Sequence, residues 1–249
     1  MPSVSLVSPR AVFGLILPST NTVVEAEFNW MRVPGVSWHS GRILIKNPDL
    51  SNDDTMVAFL EDLRTEIGNA VMSVMTAKPT YIVMGMSAET FWGGKEGAAK
   101  FTSWMHELSG LEVTTGAGAC KAALDAYGAK KIGVITPYQA VGDQQVVDFF
   151  TQMGYEVLQI HGFKCDSATS ISEVPPEKIK DAFRLVNSDE ADLLIQAGTN
   201  LPAAIAAAEM EIELGKPVLA INTVTVWHAY RTNGIKDQMK GFGSLLEKH

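Results

Sequence analysis

Gly14-Leu15-Ile16-Leu17-Pro18 and Gly133-Val134-Ile135-Thr136-Pro137 share one pattern, an apolar run that stops at a proline, 119 residues apart. Tyr81-Ile82-Val83-Met84-Gly85-Met86-Ser87 is followed 113 residues later by Leu194-Ile195-Gln196-Ala197-Gly198-Thr199-Asn200. One such match is what any two buried strand ends produce. Two in the same order at nearly the same offset predict a duplicated half. The first half is then 1–114 plus 223–249, and the second 115–222. The tail VTVWHAYRTNGIKDQMKGFGSLLEKH returns to the first half as a helix.

Around those stretches, AVFGLIL (11–17), YIVMGM (81–86), KIGVIT (131–136), ADLLIQA (191–197) and PVLAIN (217–222) read as strands buried on both faces. Helix-period segments lie between them: 55–75, 121–129, 141–154 and 175–188. Gly128 and Gly154 sit where helices end, and Pro175-Pro176-Glu177 where one begins. Strand and helix alternate, so the fold class is α/β, two similar doubly wound parallel-sheet halves with the active site between them. In open parallel sheets ligands bind beyond the C-terminal strand ends. Two facing halves bring together Pro18–Thr22, Gly85–Phe91, Thr136–Ala140 and Gly198–Pro202. These loops carry glycines, hydroxyls and amides but no lysine or arginine. Neutral donors of that kind suit a small carboxylate or carbonyl compound.

The composition narrows the class. With 46% hydrophobic and 19% charged residues the chain buries a core, and a net charge of −8 without a basic run argues against nucleic acid. Two cysteines, Cys120 and Cys165, make no disulfide framework, and no metal-ligand spacing occurs. The start MPSVSLVSPR has no basic stretch followed by a long apolar run, so a secretory leader is not expected, and no stretch of ~20 apolar residues occurs. The expectation is a cytoplasmic homo-oligomer with no metal, no cofactor and no membrane partner, acting on a small carboxylate-bearing substrate. Gly-Ala-Gly-Ala at 116–119 lacks a dinucleotide fingerprint's context and reads as close packing at a helix start.

The loops, taken as a set, resemble the aspartate/glutamate racemase superfamily in its maleate isomerase and arylmalonate decarboxylase branch. The likeness rests on Pro18-Ser19-Thr20-Asn21-Thr22 with Glu25, Thr136-Pro137-Tyr138, Gly198-Thr199-Asn200-Leu201 and Val226-Trp227-His228-Ala229, across nearly the whole chain. It implies that Asn21 and Tyr138 hold a substrate carboxylate, that Ser87 is a hydroxyl of the first thiol loop, and that Thr199 and Asn200 line the pocket past the second. The branch's isomerases and racemases carry a cysteine in each loop, and its decarboxylases one in the second. By the resemblance those positions here are Gly85 and Gly198, so both thiols are missing.

Backbone N–H groups around 85–87 and 198–200 do not depend on cysteine and leave an oxyanion-type pocket. Glu89, flanked by Met86, Phe91 and Trp92, offers a desolvated carboxylate as a base. The leading expectation is a cofactor-independent hydrolase that opens a small cyclic amide bearing a carboxylate, with water activated by Glu89. Ser87 and Tyr138 are its other catalytic candidates. Asn21, Thr20, Gly85, Met86, Trp92, Gly198, Thr199 and Asn200 are expected to bind substrate. The alternatives are a decarboxylase or cis–trans isomerase of a small dicarboxylate using a non-cysteine acid or base, and a non-catalytic ligand-binding protein. Each residue also has a plainer use: Glu89 as a solvated helix-start charge, Asn21 as a helix cap, Tyr138 as cleft wall, and His228 and both cysteines as packing.

Overall fold

Buried apolar strands with β-branched residues pair in parallel when helices cover both sheet faces. The computed structural model, which describes residues 5–46 and 53–249, has this arrangement twice. Residues 1–4, part of the stretch read as lacking a leader, lie outside the described residues. The first sheet uses β1 (Ala11–Pro18), β2 (Val36–Ile43), β3 (Tyr81–Met84) and β4 (Val113–Thr114), with helices α1 (Val24–Trp30), α2 (Asp53–Met75), α3 (Ala88–Phe91) and α4 (Gly94–Ser109) between them. After α5 (Gly116–Tyr127), the second sheet uses β5 (Lys131–Thr136), β6 (Glu156–Gly162), β7 (Leu193–Gln196) and β8 (Val218–Ala220), joined by α6 (Ala140–Gln152), α7 (Pro176–Val186) and α8 (Ala204–Leu214). Helices α9 (Ile221–Thr232) and α10 (Ser244–Lys248) complete the chain.

The strand orders are β2-β1-β3-β4 and β6-β5-β7-β8. The repeated glycine-to-proline stretches therefore hold the same place in two sheets of one topology. All pairings are parallel; Ile16 aligns with Met84 on one side of β1, as Ile135 aligns with Gln196 beside β5.

The five expected strands are present. PVLAIN is shorter, because Ile221 already opens α9. Strands β2 and β6 were not legible as apolar runs for a physical reason. They are sheet edges with partly exposed residues along their length, so no continuous hydrophobic stretch marks them. Helix α8 is apolar around most of its circumference and lacks the one-sided pattern of a surface helix.

The tail packs back on the first half. The Tyr230 hydroxyl donates to the Met31 carbonyl at 2.8 Å, and His228 Nδ1 pairs with Thr114 Oγ1 at 2.8 Å. Gly116 permits the contact of α5 with α9, since a Cβ there would stand 2.9 Å from Ile221 Cδ1. Among the described residues no helix is long and apolar enough to cross a membrane.

Candidate active site

Four strand-end loops and one longer connection enclose a cavity of about 90 Å³. That is several times the roughly 10–15 Å³ one water needs, and far below a nucleotide site. Thr20 and Asn21 reach it from the end of β1, Met86 and Ser87 from β3, Tyr138 and Gln139 from β5, and Gly198, Thr199 and Asn200 from β7. The fifth segment, between β6 and α7, contributes Cys165, Ala168 and Ile171.

Thr199 joins the halves. Its N–H donates to Ser87 Oγ at 3.1 Å, and its Oγ1 accepts from Asn21 Nδ2 at 3.4 Å. Ser87 Oγ in turn lies 2.7 Å from the Tyr138 hydroxyl. Whichever hydroxyl donates to the other, one hydroxyl hydrogen of this buried pair remains, and no acceptor among the described residues takes it. Burial pushes the Tyr138 phenol up, its bond to Ser87 opposes this only in part, and the group keeps its proton.

Asn21 has its plainer use at a helix start and also lines the cavity. Its Oδ1 accepts the N–H groups of Val23 and Val24 at 3.0 and 2.9 Å, which fixes the start of α1, while its Nδ2 points to Thr199. Asn200 Oδ1 accepts from Thr22 N–H at 3.0 Å, and its Nδ2 donates to the Ala168 carbonyl at 2.8 Å. Arg42, from β2, donates to the carbonyls of Ser19 and Asn21 and pairs with Glu25, so it braces the first loop from outside the cavity lining.

Several expected residues are not brought together. Gly85 is not part of the lining. A Cβ there would meet Val24, Leu15 and Leu17 at 3.0–3.1 Å, so it packs beneath the cleft. Glu89 and Trp92 line a separate cavity of about 330 Å³ with Arg64, Lys100, Phe101 and Trp104. Burial raises the Glu89 carboxyl above its ordinary range and Arg64 partly opposes this, yet the group does not face the cleft. The reason is local: Ser87 is followed at once by the one-turn helix α3, which carries the side chain two residues on away from Ser87's own direction.

Gly198 does line the cleft, at φ +133°, and a Cβ there would fall 2.3 Å from Pro137 Cδ. Backbone of that kind accepts glycine alone.

Sequence reasoning treated Cys165 as packing. It lines the cleft, and its thiol is pushed up to about 11, first by burial and then by Asp166. Only its place between Lys164 and Asp166 distinguished it in the sequence. Cys120 is fully buried in α5, which raises its thiol further. Glu27, 2% exposed, was also missed; the Glu25-Ala26-Glu27 spacing around a half-buried helix was the available signal. Among the described residues no group of three His, Cys, Asp or Glu is placed to hold a metal.

With that geometry in place, comparison with known proteins is specific. Residues 14–246 match the family model described as arylmalonate decarboxylase. The maleate isomerase of Alcaligenes faecalis is 25% identical over 244 residues, covering 94% of this chain and 95% of that protein. The maleate isomerase of Geobacillus stearothermophilus is 24% identical, with 94% and 96% covered. The fold matches the Nocardia farcinica maleate cis-trans isomerase structure bound to TRIS with a TM-score of 0.86, at 23% identity over 95% of this chain and 98% of that one. It matches a crystal structure of arylmalonate decarboxylase with a TM-score of 0.76, at 18% identity over 94% and 98%. The chain therefore belongs to the arylmalonate decarboxylase family, within which its resemblance to maleate isomerases is equally broad.

Proposed function

We propose that this protein is a cofactor-independent decarboxylase of a small malonate-type dicarboxylate. The observation that carries the reading is the Ser87–Tyr138 hydroxyl pair, contributed by the two halves, with one hydrogen left for a ligand oxygen in a small cleft. The expected ring-opening hydrolysis gives way to what stood as its alternative. The relatives are isomerases and decarboxylases, and Glu89, the intended water-activating base, lines another cavity.

Decarboxylation needs no added nucleophile. One carboxylate is retained by hydrogen bonds from Thr20, Asn21 or the Ser87–Tyr138 pair. The bond from the α-carbon to the other carboxylate breaks, carbon dioxide leaves, and the electron pair spreads into the retained carboxylate as an enediolate. The free hydroxyl hydrogen of the pair stabilises the oxygen on which charge grows. A proton then passes from the Cys165 thiol to carbon, and water reprotonates the thiolate. Cys165 suits a donor because its proton is held at neutral pH, whereas a nucleophile would need the thiolate. Gly85 and Gly198, at the two positions the resemblance assigns to thiols, leave no other cysteine facing the cleft among the described residues.

A second reading, cis–trans isomerisation of a maleate-type diacid, is favoured by the maleate isomerase relatives, and it would require Cys165 to lose the proton that burial holds on it. The test is turnover in cofactor-free buffer of 2-alkylmalonate, phenylmalonate, maleate and a carboxylated cyclic amide. Carbon dioxide release from a malonate, lost in Cys165→Ser and greatly slowed in Tyr138→Phe, supports decarboxylation. Fumarate from maleate supports the second reading, and amide-ring opening rejects both.

A further inference from the structure

Beneath the cleft lies a buried acid that the proposed chemistry does not use. Glu27, on α1 of the first half, reaches under the β7 loop of the second. Its Oε1 accepts the N–H of Ala204 at 3.0 Å, the first residue of α8, which has no side-chain cap of its own. Its Oε2 accepts Asn222 Nδ2 at 2.6 Å. The same Nδ2 donates to the Thr199 carbonyl at 3.0 Å. Thr199 is thus held at its N–H by Ser87, at its Oγ1 by Asn21, and at its carbonyl by Asn222, which Glu27 orients.

We infer that Glu27 is a positioning residue whose ionised carboxylate, acting through Asn222 and the start of α8, sets the Gly198–Asn200 loop for substrate. The inference rests on the cleft being the substrate site.

A carboxylate with no cation is an expensive way to fill a buried position that an apolar or amide side chain fills with less desolvation. The groups that face it are neutral. From α8 and the residue before it come the Ala204 and Ala203 amides, and from α9 comes Asn222. On α1 itself Glu25 is engaged by Arg42 and Ser40, and among the described residues no ion pair reaches Glu27. Burial pushes its carboxyl up to about 7, with those three donors acting in the opposite direction.

Protonation turns an acceptor oxygen into a donor. If the proton sits on Oε2, it opposes the Asn222 N–H groups. Asn222 Oδ1 is buried and has no partner, so the relaxed arrangement turns the amide to accept that proton. The turn sets Oδ1 against the Thr199 carbonyl and releases the loop. Substrate affinity then falls as pH drops through the Glu27 titration.

The experiment is hydrogen exchange by mass spectrometry on peptides spanning 197–204, corrected for the intrinsic rate at each pH, with malonate binding by calorimetry in parallel. The proteins are wild type, Glu27→Gln and Asn222→Ala. In wild type, protection of this loop falls as pH is lowered through the titration, by at most tenfold per unit, and levels off once Glu27 is protonated whether the loop is held or released. In Glu27→Gln it is low and does not change with pH. Asn222→Ala keeps the acid but uncouples it, so loop protection is lost without a pH step; it serves the same purpose if Glu27→Gln does not fold. Malonate affinity in wild type follows the exchange profile. A pH profile shared by wild type and Glu27→Gln, or by wild type and Asn222→Ala, overturns the inference. If malonate binds nowhere, the substrate class is wrong, while the exchange result still decides the role of Glu27.

Discussion

Removing the Ser87 hydroxyl is the most informative single perturbation of the site. Its Oγ is the partner of the Tyr138 hydroxyl at 2.7 Å and of the Thr199 N–H at 3.1 Å. Both belong to residues less than a tenth exposed, at 8% and 5%. Each buried polar group left without a partner costs about 1–3 kcal/mol. The cleft lets water approach the pair from one side, so the lower end applies to each, and Ser87→Ala is expected to destabilise by roughly 2–3 kcal/mol. For a chain of this size that corresponds to a fall of about 4–12 °C in Tm. The assay is chemical denaturation and calorimetric melting of wild type, Ser87→Ala, Tyr138→Phe and the double variant. The cycle isolates the pair, for which a coupling of about 0.5–3 kcal/mol is expected. Additive single effects of a few tenths of a kcal/mol would mean that the hydroxyls are not joined across the halves.

Gly198→Ala combines a φ of +133° with a Cβ 2.3 Å from Pro137 Cδ, so strain of about 1–3 kcal/mol plus a shifted loop is expected, read as lost stability and lost ligand binding. Glu89→Gln leaves turnover of the true substrate unchanged, because the carboxylate lines a different cavity; loss of turnover returns Glu89 to the mechanism. Glu27 has a folded-state value of about 7, above its ordinary 4.5. A raised carboxylate stabilises the fold below its unfolded value and loses that contribution as pH rises to the folded one. Glu27→Gln is therefore more stable than wild type at pH above 7, by up to roughly 3 kcal/mol, with the gap closing on acidification, as urea unfolding at two pH values measures.

The repeat was legible because strands buried on both faces cannot hide. β1 and β5 are apolar almost throughout, and their ends carry the glycine, proline and hydroxyl residues that loops over a cleft require. Edge strands β2 and β6 were not, since half-exposed strands have no continuous apolar signal. In the site, Asn21, Ser87, Tyr138 and Thr199 were legible because each directly follows a central strand end, where the fold alone decides direction. Glu89 was misread because α3 begins at Ala88 and turns it away, a local event that no hydrophobic period records. Cys165 and Glu27 were missed for a different reason. One comes from the long β6–α7 connection and the other from a helix of the opposite half, so their proximity to the cleft exists only after the halves meet.

The proposed reaction ends in protonation of carbon after loss of carbon dioxide, without a cofactor. It is tested most directly by incubating the protein with a 2-alkylmalonate in deuterium oxide and following the product by NMR. One deuterium is expected at the α-carbon for each carbon dioxide released, with both lost together in Cys165→Ser and greatly slowed in Tyr138→Phe. Release that continues undiminished in both variants, or no release from any malonate while maleate is converted to fumarate, contradicts it.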